Sequence, residues 1–73
     1  MDQDHQGLTG KYRHYKGREY QVLGIGKHTE TEERLVIYKA LNEPYEFWVR
    51  PFDMFFETIN VEGKDILRFE KLA

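Results

Sequence analysis

The chain contains neither cysteine nor serine among its 73 residues. Without cysteine, no disulfide bond and no thiolate zinc site can stabilise the fold, and the composition fits a reducing cytosol. The same two absences exclude the common serine and cysteine nucleophiles of covalent catalysis. We therefore expect a non-catalytic domain, without catalytic residues or a cofactor, that is stabilised by side-chain packing and β-pairing.

Long apolar stretches are also missing. No segment approaches the roughly 18 consecutive apolar residues that span a bilayer. The N-terminal sequence MDQDHQGLTG has no apolar stretch of the kind found in signal peptides. Thirteen acidic residues against eleven basic ones give a net charge of −2, which argues against a general polyanion-binding protein. We expect a soluble cytoplasmic protein that does not contact membranes.

The sequence does not predict a metal or phosphate site. His5, His14 and His28 lack the short spacings that are typical of metal ligands. Residues 24–27 (GIGK) are similar to a phosphate-binding loop, but such a loop must be followed by a helix N-terminus. Here an acidic turn and a strand follow, so we interpret these glycines as a β-bulge or a bend.

Aromatic residues make up 15% of the chain, and many of them lie in segments that alternate between polar and apolar side chains. This period-2 pattern predicts β-strands, which turn residues separate from one another. Strands are predicted at 11–15, 19–28, 35–41, 45–50, 56–61 and 66–72, with a 3-10 turn at 51–55 that begins at proline. This order predicts an all-β fold, an SH3-like small barrel of five to six antiparallel strands over residues 10–73, with residues 1–9 as a disordered tail.

Alternation also predicts which side chains of the two central strands form the core. If Lys39 and Arg50 face water, the inward-facing residues are Val36, Tyr38, Ala40, Phe47 and Val49. The same register places Ile37 and Trp48 on the outer face. Because either face can accommodate a tryptophan, the position of Trp48 stays open at this point.

Four segments together are similar to a known family: 10–17 (GKYRHYKG), 20–24 (YQVLG), 36–41 (VIYKAL) and 48–55 (WVRPFDMF). The chain resembles a short bacterial family of unknown function, number sixteen fifty-three, over about residues 10–69. The resemblance implies an SH3-like small β-barrel from the bacterial cytoplasm. It implies no particular activity, because the family has no settled function.

Two surfaces are candidates for binding. The first is an aromatic set that would recognise a peptide or partner protein, as SH3-type domains do in aromatic-lined grooves. Its members are Tyr38, Tyr45, Trp48, Arg50 and Phe52. An exposed tryptophan next to arginine would be a typical interface anchor. The oligomeric state predicted for such a module is a monomer or a weak homodimer.

The alternative is a nucleic-acid-binding strand near the N-terminus. Basic and aromatic residues are interleaved there, which is typical of sites for single-stranded DNA or RNA. The patch consists of Lys11, Tyr12, Arg13, His14, Tyr15, Lys16 and Arg18. A half-buried strand also carries charged residues on its solvent-exposed face, without any binding role. The excess of acidic residues elsewhere in the chain favours that simpler interpretation.

Overall fold

The structure is a computed structural model, and it describes residues 7–73. Within this range the strands are β1 (Gly10–His14), β2 (Glu19–Lys27), β3 (Arg34–Ala40), β4 (Phe47–Pro51), β5 (Thr58–Val61), β6 (Lys64–Leu67) and β7 (Phe69–Lys71). A four-residue helix, α1 (Phe52–Phe55), joins β4 to β5. The strands form a five-stranded antiparallel sheet in the order β4-β3-β2-β1-β7 and a separate β5-β6 hairpin.

The all-β prediction is confirmed, but the predicted closure into a barrel is wrong. Isolated backbone hydrogen bonds around Arg68 connect the hairpin to the large sheet. The N–H of Tyr15 donates to the Arg68 carbonyl oxygen at 2.9 Å. The N–H of Arg68 in turn donates to the Glu57 carbonyl oxygen at 3.1 Å. Because the chain breaks its pairing at Arg68, the predicted strand 66–72 is divided into β6 and β7, which pair with different neighbours. This division raises the number of strands to seven.

The irregularity predicted at the glycines of β2 is confirmed. The register between β2 and β3 shifts between Val22 and Gly24, so Leu23 lies in a bulge. The preceding turn depends on Gly17, whose φ of 109° lies in a region that residues with a side chain rarely adopt. Its N–H donates to the His14 carbonyl oxygen at 2.7 Å and closes the β1–β2 turn.

The core lies on the inner face of the five-stranded sheet and is rich in aromatic rings. Phe55 of α1 is fully buried and stacks on Phe69 of β7, with 4.0 Å between ring centroids. The rings of Tyr12 and Tyr38 meet Phe55 edge-on at 5.3 and 5.2 Å. The buried apolar residues are Tyr12, Val22, Val36, Tyr38, Ala40, Phe55 and Phe69. The core positions predicted in β3 are therefore confirmed.

The core positions predicted in β4 are wrong. Phe47 and Val49 were expected inside, but they are 68% and 61% exposed. The register places Trp48 opposite Tyr38 and Arg50 opposite Val36, so Trp48 and Arg50 share the inner face. The prediction assumed that Arg50 faces water. Its guanidinium group instead lies over the edge of the aromatic core.

The helical turn that follows β4 is confirmed, although its hydrogen bond is of the α type. The N–H of Phe56 donates to the Phe52 carbonyl oxygen at 3.2 Å, which is an i→i−4 bond. Pro51 lies at the N-cap, where its missing N–H removes no helical bond. Phe55 is buried, Phe52 is partly buried, and Met54 is 51% exposed.

The predicted disordered tail, 1–9, lies mostly outside the described residues. Of its last residues, Leu8 accepts a hydrogen bond from the Tyr12 hydroxyl at 2.9 Å, and Thr9 accepts one from Lys71 Nζ at 3.0 Å. Between residues 7 and 73, no helix has both the length and the apolar character needed to cross a membrane.

Candidate functional site

The candidate site is the edge strand β4 together with the turn that precedes it. Every residue from 42 to 49 is exposed. Within this segment Phe47, Trp48 and Val49 are 68%, 46% and 61% exposed. Single exposed apolar residues are ordinary, but three large ones in succession on one strand form a patch of the kind that marks an interaction surface.

The backbone of β4 is open on one side. Among residues 7–73, β4 pairs with β3 alone. The N–H of Ala40 donates to the Glu46 carbonyl oxygen at 3.0 Å, and antiparallel pairing then alternates along the strand. Trp48 and Arg50 therefore direct their backbone groups at β3. Phe47 and Val49 direct theirs at the open edge.

Pro51 fits this open edge for a simple reason. It is the last residue of β4 and lies opposite Leu35. By the same alternation its nitrogen points outward, as do those of Phe47 and Val49. Proline is therefore tolerated here, because the missing N–H leaves the pairing with β3 intact.

Arg50 connects the edge strand to the core. Its Nε donates a hydrogen bond to the Tyr38 hydroxyl at 3.3 Å, and its guanidinium carbon lies 5.5 Å from the Phe69 ring centroid. An arginine in this position stacks its planar cation on the aromatic face while it keeps access to solvent. Trp48, two residues earlier on the same face, extends beyond the buried cluster and is half exposed.

The structure divides the predicted aromatic set. Trp48 and Arg50 lie together on one face of β4, and Tyr45 is 58% exposed in the turn before it. Tyr38 is 3% exposed, so the prediction that its ring contacts a partner is wrong. Phe52 is partly buried, and the Arg34 guanidinium group covers its ring at 4.0 Å.

Sequence reasoning missed Phe47 and Val49, which form the outer face of the site. Val49 lies opposite Ile37, and Phe47 lies opposite Lys39, whose ammonium group is 5.9 Å from the Phe47 ring centroid. Two signals could have identified this surface. The proline at the end of the strand is typical of an edge strand, and three consecutive apolar residues cannot all face one core.

The residues of the predicted nucleic-acid patch are distributed over both faces of the sheet. Lys11 and Arg13, on the outer face of β1, approach Glu19 and Glu70 respectively, each at 3.5 Å. Tyr12 points the other way and is 2% exposed, so its ring cannot stack on a base. Acidic neighbours therefore oppose the positive charge of β1.

The rest of that patch lies around the β1–β2 turn. Lys16 Nζ is 5.8 Å from the Tyr15 ring centroid, and the Arg18 guanidinium carbon is 5.9 Å from that of Tyr20. An open cleft of about 380 Å³ lies beside them, lined by Arg13, His14, Tyr15, Gly17, Ile66, Leu67 and Glu70. Nucleic-acid binding stays a prediction. All four cations of the patch are exposed, and two of them, Lys11 and Arg13, lie near carboxylates.

His14 packs against the core at one wall of this cleft. Its ring meets Phe69 edge-on at 4.9 Å, and its Nδ1 accepts a hydrogen bond from the Lys16 N–H at 3.2 Å. Burial lowers the pKa of His14, and the positive charges of Arg50, Arg68 and Lys16 lower it further. The lowered pKa favours the neutral form of His14, so this side chain adds little positive charge to the patch.

Metal-binding chemistry has no candidate in the part of the chain that the structure describes. Between residues 7 and 73, no three His, Asp or Glu side chains gather closely enough to hold an ion. His5 lies outside the described residues.

The comparisons with known proteins agree on the family. The family model described as "protein of unknown function (DUF1653)" matches residues 10–71. The crystal structure of a member of that family from Bordetella bronchiseptica is similar, with a TM-score of 0.82 and 31% sequence identity over 89% of this chain and 86% of that one. None of the curated proteins is similar enough to count as a relative. This chain belongs to the DUF1653 family.

Proposed function

We propose that this protein is a non-catalytic binding module, and that β4 receives an extended segment of a peptide or partner protein by β-strand addition. The observation that carries the proposal is the exposed segment Phe47–Trp48–Val49 on a strand whose outer backbone edge is open. Strand addition uses backbone hydrogen bonds for affinity and alternate side-chain contacts for specificity. β4 offers both.

The contacts available to a partner are different on the two faces of the strand. On the inner face, Trp48 and Arg50 offer an indole ring and a cation. On the outer face, Phe47 and Val49 offer apolar surface. A matching segment would therefore be extended, with aromatic or β-branched residues toward Phe47 and Val49 and an acidic residue near Arg50.

The test is a selection of displayed peptides against the protein, followed by NMR titration of the selected peptides. We expect chemical-shift changes at residues 46–50. Val49→Pro should abolish binding, because it removes an outward N–H without breaking a bond to β3. Val49→Thr is the matched control, since it keeps the N–H and the β-branched shape.

Circular dichroism of both variants establishes that the fold is kept. Peptides that bind Val49→Pro as well as the wild type would contradict the proposal. So would chemical-shift changes confined to the cleft beside His14 and Tyr15.

A further inference from the structure

We propose that the partner of the β4 edge is a second copy of this chain. Two β4 strands pair antiparallel about a two-fold axis at Trp48, and the two five-stranded sheets become one continuous sheet. The inference rests on the proposed function, because it names the occupant of that same edge.

The backbone limits the registers that such a pair can adopt. Hydrogen bonds across the new edge must come from Phe47 and Val49, whose N–H and C=O groups face outward. Outward groups meet outward groups when the axis passes through a residue and not between two residues, and within the exposed apolar segment these axes are at positions 47, 48 and 49. An axis at 49 places Pro51, which has no N–H, opposite Phe47. An axis at 47 relies on Tyr45, which lies before the strand begins.

The axis at Trp48 avoids both defects. Phe47 of each copy then lies opposite Val49 of the other, and each of these residues supplies one N–H and one C=O. Every outward donor of this segment finds an acceptor. The two Trp48 residues form the central pair, in which the backbone groups point away from the interface and the Cα atoms approach most closely.

The side chains favour the same register. With the axis at Trp48, Glu46 lies opposite Arg50 of the second copy, and the pair occurs twice by symmetry. Phe47 opposite Val49 is an aromatic and β-branched pair, which stabilises adjacent strands. The registers centred on 47 and 49 place a charged residue opposite Trp48 instead. Opposite charges are therefore matched by the register that the backbone also prefers.

The other edge of the sheet is different. β7 carries Glu70 and Lys71, both exposed, and Lys71 Nζ donates to the carbonyl oxygens of Thr9 and Ala73 at 3.0 Å. Charged residues on an edge strand oppose pairing with another chain. Around β4 the charges lie at position 46, just before the strand, and at position 50, with apolar residues between them. This contrast points to β4 as the edge that self-associates.

Single-cysteine variants test the register directly, because the natural chain has no other thiol. At the axis, Trp48→Cys places the two Cα atoms about 4.5 Å apart, within the range of a disulfide. In Phe47→Cys and Val49→Cys, equivalent residues are offset by two positions and lie about 8 Å apart, too far for a bridge. Under mild oxidation at equal concentrations, we expect Trp48→Cys to dimerise roughly tenfold faster than either control.

A charge exchange tests the same register without removing Trp48. Glu46→Arg and Arg50→Glu each create two like-charge pairs in a homodimer, so each variant alone should sediment as a monomer. An equal mixture should form heterodimers, because both pairs then have opposite charges. Circular dichroism shows whether Arg50→Glu keeps its fold, and the cysteine series decides the matter if it does not.

Equal cross-linking rates at 47, 48 and 49, faster cross-linking at 47 or 49, or a mixture that stays monomeric would overturn the proposed register. A wild type that sediments as a monomer at all concentrations would overturn self-association. If that monomer still binds selected peptides at β4, the proposed function stands without this inference. If the monomer binds no selected peptide, both self-association and the proposed binding function are contradicted.

Discussion

The aromatic core and the edge strand β4 are built from the same residue types but lie in opposite environments. Phe55 is fully buried and touches four other aromatic rings, whereas Phe47 is 68% exposed. A chain of this size buries only about 60% of its unfolded surface, so its core holds few large side chains. The difference shows that hydrophobicity alone does not determine whether a residue is buried in this protein. The position of the residue relative to the edge of the sheet also determines its burial.

One contact crosses the boundary between the two regions. Arg50 belongs to β4, yet its hydrogen bond to Tyr38 and its position over Phe69 attach it to the core. The boundary therefore runs along the inner face of β4, between Arg50 and Trp48. Substitutions on either side of it should have very different effects on the free energy of unfolding.

The largest effect is expected for Phe55→Ala. Truncating a fully buried phenylalanine costs about 3–5 kcal/mol, which is comparable with the whole stability of a small domain. The variant should be largely unfolded by circular dichroism. Phe47→Ala, which removes the same atoms from an exposed position, should shift the free energy of unfolding in urea by no more than about 0.5 kcal/mol. Similar losses in both variants would abolish the distinction between the two regions.

An intermediate effect is expected for Tyr38→Phe. The substitution keeps the buried ring but removes the hydroxyl that accepts the bond from Arg50 Nε. Loss of one such hydrogen bond should lower the free energy of unfolding by about 1 kcal/mol in urea titration. Tyr45→Phe, in the exposed turn, is the control and should change it by less than about 0.5 kcal/mol. If the two variants are equally stable, the contact does not stabilise the fold.

A smaller effect is expected from pH. The pKa of His14 is lowered in the folded protein by burial and by nearby positive charges, so the unfolded chain binds the proton more readily. The contribution of neutral His14 to the free energy of unfolding is therefore fully present above the ordinary histidine pKa of about 6.5. It is lost as the pH falls toward the lowered pKa of the folded protein. His14→Gln should reduce the acid-induced decrease in the free energy of unfolding, measured by urea titration at several pH values. An unchanged decrease would contradict this assignment.

The smallest effect on stability is expected for Trp48→Ala. Because Trp48 lies outside the buried cluster, the free energy of unfolding should change by no more than about 0.5 kcal/mol. The same substitution should weaken self-association in sedimentation experiments and reduce peptide binding. A variant that unfolds would show that Trp48 belongs with the core instead.

The sequence predicted the strand positions well because local chemistry determines them. Glycine and charged residues define the turns around Gly17 and residues 29–33, and apolar alternation identifies the core face of β3. Whether the strands close into a barrel could not be predicted. The outcome depends on Arg68, where the last segment changes its pairing partner from β5 to β1. No local sequence pattern indicates which strand pairs with that segment.

The candidate site was predicted in part. Proximity in sequence linked Trp48 to Arg50, and the structure places both on one face. The two faces of β4 were exchanged because the prediction assumed that Arg50 faces water. The long arginine side chain and its affinity for aromatic faces made the opposite arrangement stable. Because the inner face of β4 holds Trp48 and Arg50, Phe47 and Val49 lie on its outer face as surface residues.

The location of Trp48 has a spectroscopic consequence. As the one tryptophan of the chain, it gives the protein a single indole emitter, and that emitter lies on the strand we propose as the interface rather than in the core. Fluorescence excited at the red edge of the absorption band therefore reports how far β4 is exposed to solvent. Pairing of a second strand with β4 would shift the emission maximum to shorter wavelength. Unfolding would change the emission maximum little, because the indole is already half exposed to water.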